Sequence, residues 1–130
     1  ALGIKPLEVY YGKTDLMIVF ESESDIRQMN PDFTLVEKIP VRGIIVTAPG
    51  DEVDFVSRFF APQAGVVEDA VTGSAHTTLT PYWSERLGKK TLTARQLSRR
   101  EGDLICTLDG KRVLISGYAR SYLKGKIVIE

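Results

Sequence analysis

The chain of 130 residues contains one histidine and one cysteine. A metal centre built from several histidines, or from paired Cys-x-x-Cys ligands, is therefore excluded. Cys106 has no partner for an internal disulfide, which suits a reducing, cytoplasmic compartment. Net charge is missing too: 17 basic residues balance 17 acidic ones, so nothing favours nucleic acid or an anionic membrane as partner. No apolar run approaches the roughly 20 residues of a membrane span. The N-terminus shows no basic segment leading into an apolar one, so no signal peptide is visible. Repeats, linkers and low-complexity tracts are absent. What remains is ordinary for a globular protein, 43% hydrophobic and 26% charged, with length for a single domain over residues 1–130.

The hydrophobic pattern is mostly that of strands. Glu8 to Tyr11 reads as a short strand ended by Gly12. Asp15 to Glu21 is a continuous apolar run of strand length. Ser22-Glu23-Ser24-Asp25 offers helix-capping chemistry for a short helix to Met29, which Pro31 stops. Phe33 to Glu37 reads as another helical turn or as a loop pinned by Phe33, Leu35 and Val36. Gly43 to Ala48 is a second buried strand, and Val53 to Phe60 alternates as a third.

Ala75 to Leu87 reads as a helix ended by Gly88, with a kink or a local adjustment expected at Pro81. Its apolar residues spread around the circumference, so it should be largely enclosed. After it the chain turns to strand: Thr91 to Ser98, Leu104 to Leu108, Arg112 to Ser116, Ala119 to Leu123 and Ile127 to Ile129, with Asp109-Gly110 as a hairpin signal. Cys106 reads as a buried strand thiol. Lys89, Lys90, Arg99 and Arg100 read as solvated turns. The expected architecture is α+β, a curved and mainly antiparallel sheet or barrel wrapped around a central helix.

One stretch carries chemistry. Glu68-Asp69-Ala70-Val71-Thr72-Gly73-Ser74-Ala75-His76 places two carboxylates before a helix start. The first amides of a helix have no internal partner, and the helix dipole makes that end positive. Gly73 removes the Cβ that would hold a ligand off the backbone. A substrate carboxylate or phosphate fits such a cradle. Asp69 then stands beside the bound anion as a candidate acid or base. The competing structural reading is an ordinary cap at Thr72-Gly73-Ser74 following a solvated turn. His76 reads equally as a ligand contact or as a structural histidine that needs a partner if buried.

These residues closely resemble the signature of the phenazine-biosynthesis PhzF-like isomerase family, which shares the diaminopimelate epimerase fold. Supporting segments run along the chain: Asp54 to Pro62 before the signature, Ala94 to Gly102 after it, and Arg112 to Gly117 near the end. The resemblance implies the C-terminal one of the family's two similar domains, with the main catalytic glutamate in the other. It implies that Asp69 and Ser74 line the interdomain cleft as catalytic residues. It also implies that Thr72, Gly73, Ser74, Ala75 and His76 meet a substrate carboxylate. The implied chemistry is a proton shift on a small carboxylate substrate, with no metal and no cofactor. Ala70 departs from the family's usual proline, which should loosen the turn holding Asp69. Glu101-Gly102 replaces a more usual Gly-Gly and reads as a surface change.

Three functions compete on this basis. The first is an enzyme half completed by the missing N-terminal domain. The second is a homodimer whose two copies pair to bind a small molecule. The third is an interaction module that keeps only the fold. A lone half should also leave an apolar face uncovered.

Overall fold

The computed structural model describes residues 1–129. Seven strands form one sheet in sequence order: β1 (Glu8–Tyr11), β2 (Asp15–Val19), β3 (Gly43–Pro49), β4 (Phe55–Phe60), β5 (Thr91–Gln96), β6 (Gly102–Asp109) and β7 (Arg112–Ser116). Four of the six pairings are antiparallel. The β2–β3 and β4–β5 pairings are parallel. Each parallel pair needs a crossover. The helices α1 (Glu23–Gln28) and α2 (Phe33–Val36) supply the first, and α3 (Gly73–Leu87) supplies the second.

Local chemistry sets these boundaries. At α1 the Ser22 hydroxyl accepts from the Asp25 amide, and the Asp25 carboxylate accepts from the Ser22 amide, a reciprocal cap. The Asp32 carboxylate accepts from the amides of Thr34 and Leu35 to start α2. α3 ends at Gly88, whose φ of 64° lies in the left-handed region. The two-residue loop between β6 and β7 is Gly110-Lys111, with Gly110 at φ 57°.

Strand alternation divides the core between the two faces of the sheet. Met17, Val19, Ile45, Phe55, Phe59, Leu92, Ala94, Leu104 and Cys106 point to one side and pack on Ala75, Leu79 and Trp83 of α3. Leu16, Ile18, Phe20, Ile44, Val46, Val56 and Phe60 point to the other and cover Ile26 of α1 and Val36 of α2. Five successive strands reach one helix, so the sheet curves around α3, and the α+β reading holds.

Two expectations need correction. Of the curved sheet or barrel expected, the structure shows the sheet, open, with β1 and β7 as its edges among the described residues. Consequently α3 is not enclosed. It buries the stripe Ala75, His76, Leu79, Thr80, Trp83 and Ser84, while Thr77, Thr78 and Pro81 face solvent. The chain stays helical through Pro81, with the Thr80 hydroxyl donating to the His76 carbonyl one turn back. Finally, Ala119–Leu123 and Ile127–Ile129 are not strands. Strand-forming residues make a strand only where they pair with a neighbour, and these pair with neither open edge of the sheet. Tyr118, Tyr122, Leu123, Ile127, Val128 and Ile129 are at least 83% exposed.

Candidate functional site

The site lies where β4 and β5 separate. β5 pairs with β4 only from Phe55 to Ser57. The Leu97 amide then donates to the Ser57 carbonyl at 2.7 Å. Beyond it, the Phe59 carbonyl accepts from the Asp69 amide at 3.0 Å. The segment that leaves β4 thus returns to the sheet edge and delivers Asp69 to the C-terminal ends of two parallel strands. The N-terminus of the crossover helix α3 opens beside it. Open sheets place ligands at such crevices.

Gln96, fully buried at the end of β5, ties this turn together. Its amide oxygen accepts from the Thr72 amide at 2.8 Å, and its nitrogen donates to the Asp69 carbonyl at 2.8 Å and to the Thr72 hydroxyl at 3.1 Å. The Thr72 hydroxyl in turn donates to Asp69 Oδ2 at 2.6 Å. Thr72 therefore makes no side-chain cap on α3. Its hydroxyl orients the carboxylate instead of satisfying the helix, so the leading amides at Gly73, Ser74 and Ala75 remain for an anion. The cradle is open at the backbone as well, since a Cβ built on Gly73 would meet nothing within 4 Å.

The Ala70 departure has a local compensation. The Ala70 amide donates to Asp69 Oδ1 at 2.9 Å, a bond that proline could not make. Its carbonyl accepts from the buried Ser98 hydroxyl at 2.7 Å. Both oxygens of Asp69 are thus held.

Two arginines invisible as site residues in the sequence complete the frame. Arg58 binds Glu68 through two nitrogens, at 2.7 and 3.1 Å, and donates to the carbonyls of Ile26 and Met29 at the end of α1. Arg42 pairs with the buried Asp15 and reaches the Ser74 hydroxyl at 3.2 Å. Their partners lie 10 to 32 positions away, so no local pattern reveals them.

The predicted residues separate by depth. Asp69 is half-buried, Gly73 and Ser74 are exposed, and Thr72, Ala75 and His76 are buried. His76 lies wholly beneath α3 rather than on the rim with Gly73 and Ser74. Its Nδ1 is 2.8 Å from the Thr72 carbonyl, its ring lies 5.9 Å from that of Phe55, and Nε2 has no partner among the described residues. Burial pushes its pKa down, against the smaller opposing effect of the Thr72 carbonyl. A histidine held neutral in the fold but free to charge when unfolded costs stability as the pH falls. The loss begins near the unfolded value of about 6.5 and grows toward the lower folded value. The denaturation midpoint should therefore drop between pH 7.5 and 5.5, and His76→Asn should flatten that slope. Asp103, held low by its hydrogen bond to Arg95, titrates below this window.

Among the described residues no group of three His, Cys, Asp or Glu side chains could hold a metal ion, and no helix is long and apolar enough to cross a membrane. Cys106 is fully buried and its thiol pKa is raised by burial.

Comparison with known proteins shows the family and the fold. Residues 2–126 match the model of the phenazine biosynthesis-like protein family. An uncharacterized isomerase of Pseudomonas aeruginosa is 51% identical over 98% of this chain and 49% of its own length. An uncharacterized isomerase of Halalkalibacterium halodurans is 45% identical over the same shares. The crystal structure of a PhzF-family phenazine biosynthesis protein from Enterococcus faecalis superposes with a TM-score of 0.89 at 45% identity, covering 95% of this chain and 50% of that one. The chain spans about half the length of the curated relatives it matches. With the family model matching nearly end to end, the chain belongs to the phenazine biosynthesis-like, or PhzF-like isomerase, family.

Proposed function

We propose that this chain supplies the Asp69 half of an isomerase site that moves a proton on a small carboxylate substrate. The observation that carries the reading is the use of Thr72. A helix N-cap hydroxyl is spent on orienting Asp69, and the helix amides are left for a ligand. The substrate carboxylate would lie on the amides of Gly73, Ser74 and Ala75, with the Ser74 hydroxyl bonded to a substrate oxygen. Negative charge developing during proton transfer would be stabilised by the same helix end. Asp69 would orient a polar group of the substrate or assist the transfer. The second acid or base, the glutamate of the family's other domain, would come from a partner half. No cofactor is needed for this chemistry.

Gly73→Ala tests the reading. The added methyl meets open space, so stability should change by less than about 1 kcal/mol. If the cradle binds carboxylates, the same methyl should weaken binding of small mono- and dicarboxylates roughly tenfold, read from the amide resonances of Gly73, Ser74 and Ala75. Asp69→Asn and Ser74→Ala should weaken it as well. Amide resonances that no carboxylate moves would sink the proposal.

The exposed apolar segment from Tyr118 to Ile129 favours a second reading, in which two copies of the chain pair and complete each other's cleft. Light scattering over a concentration range should then give twice the chain mass. A monomer at every concentration would leave only the half-site reading.

A further inference from the structure

The turn Arg99-Arg100-Glu101-Gly102 does more than reverse the chain. Glu101 stands at φ 51°, a left-handed backbone conformation that is unfavourable for a non-glycine residue. Its replacement of a glycine is therefore more than a surface change. The conformation is held from three sides. The Glu101 amide donates to the Ser98 carbonyl at 3.0 Å, and its carboxylate accepts from Arg27 at 2.9 Å. Gly102 packs so closely on Val71 that a Cβ there would come within 2.3 Å of a methyl carbon. The Ser98 hydroxyl fastens the start of the turn to the Ala70 carbonyl. The turn and the Asp69 segment are thus one rigid unit.

Between them lies an open cleft of about 720 Å³ lined by Val67, Glu68, Asp69, Ala70, Ser98, Arg99 and Arg100. Its charges do not cancel. Both oxygens of Glu68 are occupied by Arg58, so that carboxylate is already neutralised. Glu101 is spent on Arg27. Arg99 and Arg100 have neither a hydrogen bond nor an ion pair among the described residues, and they line the same cleft as Asp69, the one carboxylate of that lining with no cationic partner. A cleft with two unpaired guanidiniums against one carboxylate attracts an anion.

We propose that Arg99 and Arg100 form a second anion subsite in the cleft beside Asp69. It would receive a carboxylate or phosphate group carried by the substrate. This rests on the helix-end reading above and narrows its substrate class to molecules with two anionic groups. Guanidinium groups bind both oxyanions through paired N–H donors, so the shared chemistry is a planar or tetrahedral oxyanion.

The test titrates the 130-residue chain separately with succinate and with inorganic phosphate. It follows the Nε–Hε resonances of Arg99 and Arg100 and the amides of residues 68–70. Saturable shifts at these positions are expected. The Arg99→Gln/Arg100→Gln double variant should weaken binding roughly tenfold or more at unchanged melting temperature. Lys124→Gln/Lys126→Gln removes the same charge elsewhere and should leave binding intact. A response to succinate alone assigns the subsite to carboxylates, and a response to phosphate alone assigns it to phosphoryl groups. Shifts scattered over the surface cations, or equal loss in both double variants, would mean nonspecific charge and overturn the subsite. Should the Gly73–Ala75 amides move while the arginines do not, the helix-end site stands and the second subsite falls.

Discussion

Gln96→Ala is expected to destabilise the protein by about 3 kcal/mol and to abolish carboxylate binding at the helix end. Gln96 is fully buried and makes three hydrogen bonds, to the Thr72 amide, the Asp69 carbonyl and the Thr72 hydroxyl. Truncation strands two backbone groups in the interior, each costing about 1–3 kcal/mol when left unpaired, and opens a cavity. Gln96→Met separates the two causes, because it keeps most of the volume and loses every bond. Most of the loss should persist in Gln96→Met, with Asp69 no longer fixed. Urea denaturation with the wild-type midpoint in that variant would show that Gln96 acts by packing alone.

Arg58→Ala should be comparably damaging, by about 3 kcal/mol, for a different reason. The Arg58 guanidinium joins three segments: the end of α1 through the Ile26 and Met29 carbonyls, the Asp69 segment through Glu68, and β4 on which it stands over the Phe60 ring at 4.9 Å. Its side chain is 13% exposed and that of Glu68 21%, so solvent screens the pair only in part. Removing one partner leaves the other charge and two helix-end carbonyls without compensation. Arg58→Lys keeps the charge but not the fork of donors, and should recover less than half of the loss. The amides of Glu68 and Asp69 should exchange faster with solvent in Arg58→Ala than in wild type. Unchanged exchange there would separate Arg58 from the site and confine it to α1.

The residues that carry the proposed chemistry were legible because they act through local geometry. A carboxylate, a small turn and Gly73-Ser74 before an apolar helical stripe mark a candidate anion-binding helix start, with an ordinary cap as the competing reading. The frame behind them was not. Gln96 carries no signal of its own within the Thr91 to Ser98 strand, and only the parallel pairing of β4 and β5 brings it under Thr72. Arg99 and Arg100 read as solvated turn residues and are exposed in a turn in the structure, but sequence does not show which carboxylates near them are already paired elsewhere. Here Arg58 takes Glu68 and Arg27 takes Glu101.

By itself the sequence determined the α+β class, nearly all strand and helix positions, the single buried thiol and the helix start at Gly73. Periodicity, capping and glycine placement are local, and they need no knowledge of what packs against what. Tertiary structure decided the rest. The sheet is open, so α3 shows one face to solvent, and His76 lies under the helix and away from its rim. The apolar residues after Gly117 have the composition of strands but pair with neither open edge of the sheet, and they stay exposed. A strand is a pairing of two segments, and composition specifies only one of them.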